Sequence, residues 1–227
     1  MAKAPVKKQQ IEGDSLEASE ARVEAFKKAN LCFFWEPYPW QQRLLREVHN
    51  KTTIAAISSN KIGKTAAVVN ILISWLLGYE PWQYVDKDEP NAVCVGGYWY
   101  RGASLGLKPP VNLMLTGEDW KSHIGRSLVP EFKKWLPDGW YTSKKNEQGV
   151  DYYFEMVNKS TVTVMSYSQD DSLFESFRIQ GVLMDEPPPK SKYTAMSRGL
   201  LLDCGKTLLS LTPLKEKRII GGFCGFS

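Results

Sequence analysis

Gly63, Lys64 and Thr65 close the segment Ser58–Thr65, which reads Ser-Ser-Asn-Lys-Ile-Gly-Lys-Thr. A glycine, a lysine and a hydroxyl in that order can hold a phosphate chain. Lys64 could reach the β- and γ-phosphates, and the Thr65 hydroxyl could bind Mg²⁺. The usual loop pattern begins with a glycine, then four residues, then Gly-Lys-Thr, and here Ser58 stands in the place of that glycine. The physics survives the change. Successive N–H groups of Ser58, Ser59, Asn60, Lys61 and Ile62 can still wrap an anion, and a following helix still points positive partial charge at it. The plain alternative is a chance Gly-Lys-Thr at a helix start.

A second group of chemical residues lies far downstream. Gly181–Glu186 is an apolar run that ends in Asp185 and Glu186. A carboxylate at the carboxyl end of a strand can hold the Mg²⁺ shell of a nucleotide. A second one beside it can orient and activate water. Asp185 suits the first role and Glu186 the second. A phosphate transfer to a substrate hydroxyl has no need of a water-activating glutamate, so the pair favours hydrolysis over a small-molecule kinase. The alternative is two exposed acids at a strand end.

These residues need elements to position them. Thr52–Ile57 is β-rich, and Ala66–Gly78 is apolar and helical, which gives the strand–loop–helix setting of a phosphate loop. Upstream, a helix is expected over Glu17–Lys28, then an extended segment through Pro37, then a helix over Trp40–Asn50 with Pro39 in its first turn. Residues 79–91 read as a polar loop. Ala92–Tyr98 and Val111–Gly117 read as strands, and 119–137 as a helix interrupted near Pro130. Val150–Val157 and Thr161–Tyr167 form a hairpin about Asn158-Lys159-Ser160. A helix over Tyr193–Asp203 and a strand from Thr207 complete the pattern. Strands alternating with helices indicate an α/β fold with a mainly parallel sheet.

Two flanking signals sharpen the site. Gln41 and Gln42, beside Trp40 and Tyr38, could pair with an adenine edge while an aromatic packs on the ring. Ser210 and Thr212 end a strand where a hydroxyl could sense a γ-phosphate. A surface helix and a simple strand end are the respective alternatives.

Composition excludes several classes. Four cysteines stand far apart, and neither His49 nor His123 has metal-ligand spacing, so neither a zinc site nor a disulfide framework is expected. No apolar run reaches the roughly 18 residues of a membrane span. No secretory h-region opens the chain, and a cytosolic protein is expected. The net charge of +4 permits nucleic-acid contact without arguing for it.

Pro-Tyr-Pro-Trp-Gln-Gln, Ser58–Thr65, Gly181–Pro189 and Ser-Leu-Thr-Pro occur in the order and spacing of one family. Over residues 33–214 the chain resembles the ATPase domain of the large terminase subunit of tailed double-stranded DNA phages. The resemblance implies a P-loop NTPase of the additional-strand catalytic-glutamate class, with an extra strand between the P-loop strand and the acidic strand. It implies ATP and Mg²⁺ as ligands, with Thr65 and Asp185 at the metal and Lys64 and Glu186 in catalysis. Gln41 or Gln42 would meet the adenine, and Ser210–Pro213 would be the coupling motif. Lys61 matches the basic residue often found inside the loop. Arg178 would act across a subunit boundary, with Arg126 and Arg101 as fallbacks. Implied partners are double-stranded DNA, the portal protein, the small terminase subunit and further copies in a ring, usually of five. The implied location is the host cytoplasm. Residues 1–32 would be a polar segment and a helix. Residues 215–227 do not read as the family's continuation, and nothing present supplies its nuclease domain. The rival readings are a helicase-like P-loop motor and a nucleotide-binding product without turnover.

Overall fold

A computed structural model describes residues 16–59, 62–103 and 107–212. Asn60, Lys61 and Pro213 lie outside the described residues. The first helix, α1 (Leu16–Ala29), carries Glu17 in its first turn and Lys27 and Lys28 in its last, which suits the helix dipole. It buries none of its residues and leads into a 3₁₀ turn, Leu31–Phe34, where an extended segment was expected. Helix α2 (Pro39–Asn50) starts on proline and has a capping box between Tyr38 and Gln41. Strand β1 (Thr53–Ile57) leads through the loop to α3 (Lys64–Leu77). Nearly all of α3 is buried, which explains a helix that is apolar all round.

Three strands follow: β2 (Tyr79–Tyr84), β3 (Ala92–Val95) and β4 (Tyr98–Gly102). They form a separate antiparallel sheet in the order β2-β4-β3. This corrects two expectations. Tyr79–Tyr84 is a buried strand and not a loop, because Tyr79 stacks on Tyr100, Trp82 meets Trp35, and Glu80 pairs with His49 at 2.8 Å. Ala92–Tyr98 is not one strand. Gly96 and Gly97 both take positive φ and turn the chain back on itself.

Strand β5 (Asn112–Gly117) is followed by a wide π-helix, Trp120–Leu128, that runs directly into α4 (Val129–Trp135). Pro130 does not interrupt it, because the proline sits in the first turn of the α segment. Next come β6 (Tyr141–Lys145), β7 (Asp151–Met156), β8 (Thr161–Ser166) and the short α5 (Asp171–Glu175). The described residues close with β9 (Gly181–Asp185), α6 (Lys190–Leu201) and β10 (Lys206–Leu211). Neither β6 nor α5 was expected, and α6 begins earlier than expected, directly behind the prolines.

Among the described residues, the main sheet has seven strands in the order β1-β10-β9-β5-β8-β7-β6, parallel from β1 to β8. Strand β10 therefore lies between the loop strand and the acidic strand, which is the inserted strand that the resemblance implied. One face packs on α3 around Trp75, Leu113 and Leu183. The other packs on α5 and α6 around Met114, Phe174, Met184 and Met196. The result is a three-layer α/β fold whose carboxyl-end crevice is the expected ligand position.

Candidate functional site

The parallel strands β1, β10 and β9 bring three distant segments to one edge. Register pairs Ala56 with Ser210 and Ser210 with Asp185. An open cleft of about 360 Å³ lies there, lined by Ser59, Gly63, Lys64, Thr65, Asp185, Glu186 and Thr212. Two larger clefts among the described residues, one beside Trp120 and one beside Trp35, contain none of these groups.

The floor of the cleft is the start of α3. Gly63 holds φ at +82°, and a Cβ added there would lie 3.2 Å from Gln41 Nε2, so glycine fits on both counts. Among the described residues, no side chain caps this helix end. The first amide groups of α3 have no partner within the helix and can bind an anion. Lys64 is buried, and its Nζ donates to Thr212 Oγ1 at 2.7 Å. Burial pushes the Lys64 ammonium below its ordinary pKa, opposed by the charges of Glu186 and Asp185. Thr212 Oγ1 in turn donates to Glu186 Oε1 at 3.1 Å. A lysine, a hydroxyl and a carboxylate therefore form one chain of hydrogen bonds.

Glu186 has φ of +68°, in the left-handed region, which costs a non-glycine residue about 1–3 kcal/mol. Three contacts hold it there. Its N–H donates to Ser210 O at 2.9 Å, its carbonyl accepts from Tyr167 Oη at 3.1 Å, and its side chain accepts from Thr212. Burial raises the Tyr167 phenol above its ordinary pKa, so it remains a donor. The second carboxylate oxygen, Glu186 Oε2, is buried and has no hydrogen-bond partner among the described residues. A buried carboxylate oxygen at a cleft can accept a hydrogen bond from water.

Asp185 is buried, and its Oδ2 lies 2.9 Å from His123 Nε2. Burial alone would lower the His123 pKa, but the hydrogen bond and charge of Asp185, with Glu118 and Glu186, raise it above the ordinary imidazole value. Sequence spacing assigned His123 no role. It reaches the cleft because the π-helix follows β5, next to β9, so its first turns rise at the same sheet edge. Ser127 and Glu131, further along the same helical face, join it in lining the cleft. The available signal was position: segments after the carboxyl ends of parallel strands share one crevice.

The remaining candidates fall in different places. Gln41 is buried and held at both ends of its amide: its Oε1 accepts from Tyr38 N–H at 2.8 Å and its Nε2 donates to Gly63 O at 3.0 Å. Its partner is the loop and not an open base edge. Gln42 is exposed, donates to Pro37 O at 3.1 Å, and faces another cleft beside Trp35 and His49. Ser58 and Ser210 each have a buried hydroxyl without a hydrogen-bond partner among the described residues, and Ile62 is exposed at the loop end. Arg178 precedes β9 and so lies at the opposite end of the sheet, in a two-point bond to Asp203 at 2.7 and 2.9 Å. Arg101 pairs with Glu89 in the small sheet. Arg126 is exposed on the π-helix, among neighbours that include Trp120 and Gln148.

Hard oxygen donors with few carboxylates suit Mg²⁺, which keeps waters and takes further ligands from phosphates. Thr65 and Asp185 fit that description. Among the described residues, no group of three or more His, Cys, Asp and Glu side chains forms a protein-only cage.

No family model matches this chain, and no curated protein does. Solved structures do. The large terminase from a thermophilic bacteriophage, in its second crystal form, superposes with a TM-score of 0.53 at 16% identity over 78% of this chain and 39% of that one. The same protein's third crystal form gives a TM-score of 0.49 at 16% identity over 77% and 37%. Its complex with ADP gives 0.48 at 17% over 77% and 39%. The present chain thus spans about two fifths of the neighbour's length, 39% in the first alignment. Over that span, it shares its fold with the large terminase of this thermophilic bacteriophage.

Proposed function

We propose that this chain is the ATP-hydrolysing part of a DNA-packaging motor. The observation that carries the reading is the convergence of Lys64, Thr212, Asp185 and Glu186 at the N-terminus of α3, in one chain of hydrogen bonds from Lys64 through Thr212 to Glu186. The shared fold with a large terminase supports the motor class over other P-loop hydrolases.

In this reading the amides of α3 and Lys64 bind the β- and γ-phosphates of ATP. Lys64 leaves the Thr212 hydroxyl to do so. Thr65 and Asp185 hold Mg²⁺, which when bound neutralises charge on the phosphates. Glu186 accepts a proton from the attacking water through its free oxygen. Thr212 links the lysine to this glutamate, so gain or loss of the γ-phosphate is felt by β10 directly. Gln41 acts through the loop, holding Gly63 in register. Double-stranded DNA would be the substrate moved, gripped mainly at phosphates and so with little sequence preference. The portal protein, the small terminase subunit and a five-membered ring of copies are the assembly proposed, in the host cytoplasm. Arg178 is proposed to serve a neighbouring subunit.

The test is Glu186→Gln, assayed for ATP turnover and for nucleotide binding. The expected result is retained binding with turnover lowered by about 10²–10⁴-fold. Turnover at the unmodified rate would sink the assigned role.

A further inference from the structure

His123 is fixed at both ring nitrogens. Glu118 N–H donates to Nδ1 at 3.1 Å, so the ring hydrogen sits on Nε2, which faces Asp185 Oδ2 at 2.9 Å. The two side chains are only 15% and 10% exposed. The surrounding backbone is built to keep the ring there. Asp119 caps the π-helix, with its carboxylate accepting from the Lys121 and Ser122 amides at 2.9 and 2.6 Å. A Cβ on Gly117 would lie 3.2 Å from His123 Nδ1 and 3.0 Å from Ile124 Cγ1, so the strand end leaves just enough room for the imidazole. A buried carboxylate oxygen needs a donor, and this ring is the one placed to supply it.

We infer that His123 is a positioning residue for the divalent cation: by donating to Asp185 Oδ2, it fixes the carboxylate so that Oδ1 is the oxygen turned to the metal shell. The inference rests on the nucleotide-site reading proposed above. Partners of this kind orient a ligating carboxylate, and losing one costs about 10–100-fold in metal affinity or activity. The bond needs a donor at the reach of Nε2. A glutamine amide attains that reach. An asparagine amide stops near the position of Nδ1 and falls short of Asp185.

The experiment follows bound N-methylanthraniloyl-ADP by fluorescence, first in EDTA and then during a Mn²⁺ titration. It compares the unmodified chain, His123→Gln and His123→Asn. Affinity in EDTA should agree among the three to within about twofold, since phosphate contacts with α3 and Lys64 are untouched. The Mn²⁺ midpoint should rise about tenfold or more in His123→Asn and stay within about threefold in His123→Gln. If His123→Asn gives no cooperative melt, His123→Leu removes the donor instead, and the same shift is expected. An unmoved Mn²⁺ midpoint, or equal shifts in the asparagine and glutamine variants, would overturn the role of His123 alone. If the unmodified chain does not bind the nucleotide with or without Mn²⁺, the nucleotide-site reading falls and takes this inference with it.

Discussion

Replacing Thr212 by valine tests the hydrogen-bond chain at the centre of the site. Valine keeps the shape of threonine and removes only the hydroxyl. That hydroxyl accepts from Lys64 at 2.7 Å and donates to Glu186 at 3.1 Å, and Thr212 is 9% exposed. A hydrogen bond to a charged group contributes about 1.5–3 kcal/mol. The low end of that range applies, because without the hydroxyl the Lys64 ammonium and the Glu186 carboxylate can turn to each other. A loss of about 1.5 kcal/mol lowers the melting temperature of a domain this size by about 3–6 °C. The same loss has an opposite effect on ligand binding. If Lys64 must leave Thr212 to reach a phosphate, the bond exists only in the free protein. Deleting it then strengthens ADP binding by roughly tenfold, since about 1.4 kcal/mol is a factor of ten. Differential scanning fluorimetry and ADP titration read both quantities on one sample. An unchanged melting temperature would mean the chain contributes nothing. Weaker ADP binding would mean that Thr212 touches the bound nucleotide rather than restraining Lys64. Either result refutes the reasoning.

Two further outcomes are expected. Asp151 ties β7 to α4 and β6 through Lys133 at 2.7 Å and Ser143 at 2.8 Å. Burial pushes its carboxyl up, but these two bonds prevail and hold it below the usual carboxylate range. A depressed folded pKa gives stability that is present above the unfolded value of about 3.9 and is lost as pH falls through the folded one. Asp151→Asn should therefore cost about 1 kcal/mol near pH 7, and urea melts should show the gap to the unmodified chain closing below about pH 4. Arg178 is the other case. Its side chain is 66% exposed, so Arg178→Ala should leave the melting temperature nearly unchanged. As a residue acting on a neighbour, its loss should lower turnover by roughly a thousandfold in the assembled ring and leave the isolated chain's turnover unchanged. An equal fall in both states would remove it from that role.

The residue order determined much by itself. Ser58–Thr65 between a β-branched run and an apolar helix is a local pattern, and so is an apolar strand ending in Asp185 and Glu186. Pattern of this kind depends on neighbours a few residues apart, so it can be read along the chain. The tertiary structure decided the rest, because it depends on contacts that the chain makes over long separations. The Lys64–Thr212 bond joins residues 148 apart, and the His123–Asp185 bond joins residues 62 apart. Strand β10 had to enter between β1 and β9 for the first to exist. The π-helix had to rise beside β9 for the second. Gln41 met the loop instead of open space, and Arg178 fell at the far end of β9, for the same reason. Tyr79–Tyr84 looked like a loop because its polar residues hid a strand that only Trp35, His49 and Tyr100 stabilise. Sequence named the groups that can handle a phosphate. Sheet order decided which of them touch.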